Sequence, residues 1–341
     1  METIKATTLR EKFNTYKIEN PKSRIREAAN QLGVSEAELI GINPENILLL
    51  PEFSAILNDI PVLGEVMALT RNDNAVHERH GTYSKASFHG QIGLISNPDI
   101  DLRLFMANWK YAFAVTENQR KSIQFFDNHG DAIHKIYLTE NSNSDAYDAL
   151  VEKHRFNTPT EIKIDLKPFS ATVEILDDDV DQINFQTDWK GLQNTHDFFG
   201  LLKKYNISRL QSMRIAPKGF VLQISNEKVD KLLNLISEKK LEFMVFVGNK
   251  NCLQIHTGKA EKIIRTGPWL NILDPIFNLH LNDTSIASLW IVKKPTNLGL
   301  VHSIEAFDKE GNLIIQFFGK RKPNIPEDEN WRLVVKQLET E

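Results

Sequence analysis

The sequence predicts an α+β fold made by tandem duplication, in which each half is a large antiparallel sheet with flanking helices and a ligand cleft lies between the halves. Three observations lead to this prediction: apolar residues at helical spacing near the start, strand-like runs after them, and a second copy of this order later in the chain. Crevices between similar domains commonly hold ligands. The fold class therefore also predicts where a ligand binds.

Each half begins with helical segments and continues with strands. Apolar residues recur at helical spacing before the turn at Gly33, which predicts two or three opening helices. In the second half, helices are predicted over 195–216 and 226–240, followed by strands from FMVFVG to LIIQFFG. In the first half, short apolar runs separated by Asn, Asp, Gly and Pro predict an antiparallel meander, and these runs include GQIGLI, DLRLF, YAFAV, SIQFF and IHKIYL.

The duplication is visible in the register of three segments. Leu104 in the first half matches Leu281 in the second at an offset of 177 residues, and the same offset joins Gly81 to Gly258. After a four-residue insertion near PTNLGL, the FFDNHG segment matches AFDKEG at an offset of 181 residues. Because three segments stay in order and in register, we interpret them as copies of one unit.

The acidic stretch EILDDDVDQ, residues 174–182, is poor in large apolar residues at its centre and is typical of a solvated connector. We therefore predict one domain over residues 1–165 and a second over 185–341. The length of 341 residues suits two cores of ordinary size.

Composition excludes several classes of function. Lys plus Arg number 41 and Asp plus Glu 45, so the net charge of −4 provides no overall basic field for nucleic acid. The single cysteine, Cys252, forms no internal disulfide, which favours a reducing compartment. The first residues lack the apolar stretch of a signal peptide, and no apolar run approaches the length of a membrane span. We expect a soluble cytoplasmic protein without membrane insertion.

Four segments carry a resemblance to a known family: LQNTHDFFGLLKKYNISRLQSMRIA, DIDLRLF, WIVKKPT and FDKEGNLIIQFFGKRKP. Together they resemble the hemin-degrading and hemin-transport proteins of the HemS/ChuS type over nearly the whole chain. The resemblance implies a cytoplasmic protein of a Gram-negative bacterium that holds one heme b, iron-protoporphyrin IX, between two halves.

The resemblance also assigns residues to the heme site. The family's proximal histidine falls on His196, in the motif T-H-x-F-F, and its distal arginine falls on Arg103, in the motif D-L-R. The remaining assignments are the propionate-binding positions and the apolar walls, which fall on Arg209, Lys294, Gln316 and Arg321, and on Phe105 and Phe246. Phe318 departs from the pattern, because the family often has tyrosine there, and the missing hydroxyl implies slightly weaker propionate binding.

The chemistry of the two central residues fits these roles. A neutral imidazole holds heme iron, and the opposite face stays open to oxygen when it carries no second strong ligand. Arginine is a permanently charged donor that does not bind iron, so Arg103 leaves that face open. Without the resemblance, a lone histidine near a helix start such as His196 is more often a cap or surface residue than a ligand, and Arg103 is compatible with a surface ion pair to Asp101 or another acid.

Three other patterns carry less weight. The segment RIREAANQLGVSEAELIGI has the form of a helix-turn-helix, but its second helix carries Glu36 and Glu38 and no basic residue, which is the wrong charge for phosphates. The histidines His77, His80 and His89 lack the ligand spacing of a closed metal site. No G-x-G-x-x-G follows a strand, so any electrons come from an external donor.

Two functions remain open from the sequence. The chain is either an enzyme that degrades heme with an external reductant and O2 to release iron, or a carrier that receives heme from a membrane importer and passes it to an accepting protein. Both need the same pocket. The open face beside Arg103 favours the enzyme, since heme itself performs the oxygen chemistry.

Overall fold

The computed structural model describes residues 2–158, 161–166, 174–321 and 325–340. The chain divides into two compact units. Unit 1 consists of Met1–Thr70, Glu78–Pro168 and Asn249–Gln254. Unit 2 consists of Arg71–His77, Phe169–Gly248 and Ile255–Glu341. Each unit therefore takes a short segment from the other half of the sequence, and the predicted boundary over 165–185 remains a prediction.

Unit 1 opens with three helices and then alternates strands with two further helices. Its helices are α1 (Glu2–Glu19), α2 (Ile25–Leu32), α3 (Glu36–Gly41), α4 (Phe53–Asp59) and α5 (Ser144–His154). Its strands are β1 (Ile47–Leu48), β2 (Gly64–Arg71), β3 (Ala75–Thr82), β4 (Ser87–His89), β5 (Ile92–Ser96), β6 (Asp101–Phe105), β7 (Trp109–Glu117), β8 (Arg120–Asp127) and β9 (Ala132–Ser142), of which β2 and β3 extend into unit 2.

Strands of unit 1 pair antiparallel in the order β1-β7-β8-β9-β2, and a smaller set pairs in the order β4-β5-β6. One core contains Ile56, Leu57 and Leu150 from α4 and α5, together with sheet residues such as Ile123 and Phe125. A second contact surface packs α3 against β7 and β8 through Ile40, Phe113 and Phe126. The meander predicted from the first half of the sequence is confirmed.

Unit 2 repeats this order. Its helices are α6 (Gln182–Lys190), α7 (Asp197–Tyr205), α8 (Arg209–Arg214), α9 (Lys228–Glu238) and α10 (Glu329–Thr340). Its strands are β10 (Val221–Ile224), β11 (Phe243–Gly248), β12 (Cys252–Gly258), β13 (Ile263–Thr266), β14 (Trp269–Leu273), β15 (Phe277–Asn282), β16 (Ser288–Thr296), β17 (Gly299–Phe307) and β18 (Leu313–Gly319), of which β12 begins in unit 1.

The five-stranded part of unit 2 has the order β10-β16-β17-β18-β11 and helices on both faces. One face, which includes Ile304 and Phe317, packs on α9 and on Trp331 of α10. The other face packs on α6, α7 and α8, with Trp189 and Phe198 in its core. Since successive strand residues point to opposite faces, residues that alternate with Ile304 and Phe317 lie on the face toward α6–α8.

The structure confirms the predicted duplication with large antiparallel sheets. At the offset of 177 residues β5 matches β14, and the turns after β8 and β17 contain Gly130 and Gly311, both in the left-handed region with φ of 76° and 81°. In each turn the aspartate before the glycine accepts a hydrogen bond from the backbone N–H of the residue after the glycine, from Asp131 at 3.0 Å in the first and from Asn312 at 2.8 Å in the second. The match therefore extends to the details of the turn.

One helix prediction was wrong. Residues 195–216 form two helices, because Asn206 adopts a left-handed conformation with φ of 52° that ends α7. Ser208 then begins α8, since its side chain accepts a hydrogen bond from the backbone N–H of Gln211 at 2.9 Å. The break brings Arg209 to the first turn of a separate helix.

Helices α4, α6 and α10 were missed by the sequence analysis. The segment before α6 is acidic, and the connector prediction was extended to residue 182, where this helix begins. Among the described residues, no helix is both long and apolar enough to span a membrane.

Candidate functional site

His196 lies in a tight turn that leads into α7. Its backbone N–H donates to Asn194 Oδ1 at 3.1 Å, and the N–H of Asn194 donates to Asp197 Oδ2 at 3.0 Å, so the turn is held at both ends. The His196 side chain is exposed, and within the described part of the chain it makes no hydrogen bond and does not cap the helix. An imidazole in this position is accessible to a ligand.

The two phenylalanines after His196 have different environments. Phe198 is buried and packs edge-on against Trp189, with ring centroids 4.8 Å apart, and Trp189 in turn donates its indole N–H to the Lys293 carbonyl at 3.1 Å. Phe199 is 75% exposed. The buried ring anchors α7 to the sheet and leaves His196 and Phe199 on the outside.

A charged cluster lies on the sheet face beneath α7 and α8. Glu305 of β17, fully buried, accepts hydrogen bonds from Arg209 Nε at 2.6 Å and Arg209 Nη2 at 2.9 Å, which together form a bidentate pair. Lys294 Nζ donates to the same carboxylate at 2.7 Å, and the Ser303 hydroxyl donates at 2.8 Å. A buried carboxylate needs such compensation. We call Arg209, Lys294 and Glu305 the charged cluster.

Burial and charge act against each other within the charged cluster. The pKa of Lys294 is lowered to about 8, because burial and the nearby charge of Arg209 lower it by more than Glu305 raises it. For Glu305, burial raises the pKa, but the charges and hydrogen bonds of Arg209 and Lys294 outweigh burial and hold the pKa well below its usual range. At neutral pH the cluster therefore contains two cations and one anion.

Aromatic rings border the charged cluster. Lys294 Nζ lies 4.5 Å from the Phe198 ring centre, and the guanidinium carbon of Arg209 lies 5.2 Å from the same ring. Phe318 stands 6.0 Å from Lys294 Nζ and contacts Phe246 at a centroid distance of 4.9 Å. Five of the predicted site residues, Arg209, Phe246, Lys294, Gln316 and Phe318, therefore share one region of unit 2.

Gln316 and Arg321 complete this region. Gln316 lies directly between Glu305 and Phe246 in the strand register, and its buried Nε2 finds no hydrogen-bond partner among the described residues. A buried amide without a partner is costly unless a ligand supplies one. Arg321 Nη1 donates to Thr195 Oγ1 at 3.0 Å, which places this guanidinium beside the His196 turn. Lys322 and Pro323, at the end of the same motif, lie outside the described residues.

Arg103 and Phe105 belong to β6 of unit 1. The neighbouring Leu102 and Leu104 are fully buried, whereas Phe105 is 40% exposed, as the predicted alternation requires. Arg103 Nη1 contacts Asp101 Oδ1 on the same strand. The surface ion pair considered in the sequence analysis is thus present, and the distal role of Arg103 remains a prediction.

Glu305 is the residue that sequence reasoning missed. A signal was available, because Glu305 stands in the strand HSIEAF, where Ile304 and Ala306 face the core and leave an acidic side chain on the other face of a buried strand. Its partner Arg209 is 96 residues away in sequence, and its partner Lys294 lies 11 residues away on the neighbouring strand. Their meeting at one carboxylate is therefore a tertiary property.

The patterns discounted in the sequence analysis have structural explanations. Glu36 of α3 is buried and accepts a hydrogen bond from Lys135 Nζ at 3.1 Å, so this helix packs against the sheet. His77 is buried with its ring centroid 5.0 Å from that of Phe277, whereas His89 is exposed. In the described ranges, no group of three or more His, Cys, Asp or Glu side chains is arranged to hold a metal ion.

Comparison with known proteins shows to which family this chain belongs. The profile described as "Haemin-degrading HemS.ChuX domain" matches residues 33–154 and 206–338. The chain belongs to the HemS/ChuX family. The hemin transport protein HemS of Yersinia enterocolitica is 38% identical over 335 residues, which cover 96% of each chain.

Solved structures of two relatives share the fold over nearly the whole chain. The holo form of PhuS, a heme-binding protein from Pseudomonas aeruginosa, aligns with a TM-score of 0.95 at 40% identity, covering 98% of this chain and 99% of PhuS. The heme-degrading enzyme ChuS of Escherichia coli O157:H7 aligns with a TM-score of 0.91 at 33% identity, with the same coverage. The names of these relatives include both transport and degradation.

Proposed function

We propose that this chain binds heme b in the cytoplasm and degrades it oxidatively with an external reductant and O2, releasing iron. The observation that carries the proposal is the charged cluster, in which buried Lys294 and partly buried Arg209 are bordered by aromatic rings, next to the turn that bears His196. A porphyrin offers an apolar face and two carboxylates, and this region offers rings and cations in return. Holo-PhuS and ChuS, with the same fold, are described as heme-binding and heme-degrading proteins.

The residues present fit heme in three respects. The exposed His196 imidazole has no competing hydrogen bond among the described residues. The buried Gln316 Nε2 lacks an acceptor among the described residues, and a propionate oxygen would accept its hydrogen bond. Arg209 and Lys294 retain N–H donors beyond those that bind Glu305, since guanidinium carries five and ammonium three.

In this proposal each residue has one task. His196 holds the iron, while Arg209, Lys294, Gln316 and Arg321 bind the propionates, and Phe105, Phe246 and Phe318 border the ring. Arg103 is a charged donor on the oxygen-binding side that leaves the iron free. Heme, as the substrate, supplies the oxygen chemistry that opens its own ring, and the protein orients it.

A carrier function is the second candidate. HemS of Yersinia enterocolitica is described as a hemin transport protein and PhuS as a heme-binding protein, neither name implying degradation. A carrier would receive heme from a membrane importer and deliver it to an accepting protein. It would use the same His196 turn and charged cluster.

One experiment separates the two functions. The purified protein is mixed with hemin, the Soret band is recorded, and a reductant is added in air with catalase present, because free peroxide destroys heme without an enzyme. Loss of the Soret band with release of iron supports degradation. A stable band under these conditions supports the carrier.

We predict that one heme binds per chain. In strand register, Gln124 and Glu117 of unit 1 occupy the positions of Glu305 and Lys294, so unit 1 has an acidic residue where unit 2 has the buried lysine. The propionate-binding cations are therefore not duplicated. Titration with hemin should end at one equivalent, and two equal sites would contradict the prediction.

A further inference from the structure

Glu305 is a buried carboxylate in a region that we propose to bind another carboxylate. Two like charges in one buried site repel each other, so a glutamate here opposes propionate binding unless it has another role. Its position in the strand does not require an acidic residue, since unit 1 has Gln124 at the equivalent position. The charge of Glu305 therefore needs an explanation other than strand structure.

The hydrogen bonds of Glu305 join the two cations of the charged cluster. Glu305 contacts both cations at once, because its Oε1 accepts from Arg209 Nη2 and from Lys294 Nζ while its Oε2 accepts from Arg209 Nε. The guanidinium and the ammonium are thereby held next to each other, although like charges repel. The side chain of Lys294 is 2% exposed, so water compensates little of its charge.

Few other groups act on Lys294. Among the described residues, the charged groups that face it are Glu305 from β17 and Arg209 from α8, while α7 and β18 contribute the rings of Phe198 and Phe318. Without Glu305, the ammonium would have a guanidinium neighbour, low exposure and no anion. A buried lysine in such surroundings loses its proton.

We infer that Glu305 is a positioning residue, which keeps Arg209 and Lys294 side by side as cations before a ligand binds, so that carboxylates meet a site already charged. This inference rests on the proposed binding of heme propionates. Lys294 then needs no proton from solvent when the ligand enters at neutral pH. Direct contact between Glu305 and the ligand is not required.

The test is the pH dependence of hemin affinity in Glu305→Gln, which removes the charge and preserves the shape. Lys294 in the variant is neutral at neutral pH and gains a proton when propionates bind, so affinity falls as pH rises, by at most about tenfold per pH unit for one proton. The ratio of the variant's Kd to that of the unmodified protein should be close to one at pH 6 and about tenfold at pH 7.5.

Two controls make the result specific. Hemin dimethyl ester has no free carboxylates, so its Kd ratio should not change with pH. Glu36→Gln removes a buried glutamate that is bonded to Lys135 at 3.1 Å in unit 1, and its ratio for hemin should stay near one at every pH. The inference is wrong if the ratio of the Kd of Glu305→Gln to that of the unmodified protein does not change with pH. This holds whether the ratio is one at every pH or is raised by the same factor at every pH.

Calorimetry provides a second test if Glu305→Gln does not fold. Hemin binding is measured at pH 7 in buffers of different ionisation enthalpy, for the unmodified protein and for Lys294→Arg, whose guanidinium does not titrate. Equal proton uptake by the two proteins supports the inference. About one additional proton taken up by the unmodified protein overturns it. If the unmodified protein binds no hemin, the proposed function fails, which is distinguishable from either result.

Discussion

His196→Ala is expected to weaken hemin binding by on the order of a hundredfold and to change the Soret spectrum. Loss of the iron bond leaves only the apolar and propionate contacts, and a hundredfold change corresponds to about 2.8 kcal/mol. The side chain is exposed and makes no hydrogen bond within the described residues, so the substitution should leave the fold intact. Absorbance titration with hemin and circular dichroism of both proteins provide the measurement.

His89→Ala is the matched control, because His89 is an exposed histidine of unit 1 on the short strand β4. Its hemin affinity and spectrum should equal those of the unmodified protein. If instead the folded His196→Ala protein keeps its affinity and spectrum, another residue such as His280 or His89 is the ligand. The assignment of His196 would then be wrong.

Arg103→Ala is expected to separate hemin binding from hemin degradation. An arginine that does not bind iron contributes little to capture of hemin, but removing a charged donor from a water-poor site commonly lowers the rate by on the order of 10² to 10³. The variant should therefore show a near-normal Soret band and far slower loss of that band under reductant and air. Its stability should change little, since the partly exposed pair with Asp101 is worth little.

Arg155→Ala is the corresponding control, because Arg155 also belongs to unit 1, is exposed to a similar extent and pairs with Glu152 at 2.9 Å. We expect unchanged binding and degradation in this variant. Equal degradation by Arg103→Ala and the unmodified protein would contradict the distal assignment. Loss of both binding and degradation would instead identify Arg103 as an anchor of the ligand.

The sequence was sufficient for properties that depend on local pattern. Apolar spacing identified helices such as α9 and strands such as β5 and β6, and fixed offsets between matching segments identified the duplication. These predictions succeeded because side-chain period and turn chemistry are encoded within about ten residues. The long helix predicted over 195–216 failed for a local reason as well, since no apolar periodicity reveals that Asn206 turns left-handed.

In the candidate site, too, some features follow from the sequence and others only from the tertiary structure. The family resemblance was enough to predict His196, Arg209, Lys294 and Gln316 as site residues, because each lies in one of the sequence segments that carry the resemblance. Only the tertiary structure decided that Arg209 and Lys294 meet on Glu305, because the three residues come from α8, β16 and β17 and are brought together by strand register and by the packing of α8 on the sheet. The strength of an ion pair depends on the distance between the charged groups and on their burial, and the order of residues along a chain gives neither quantity.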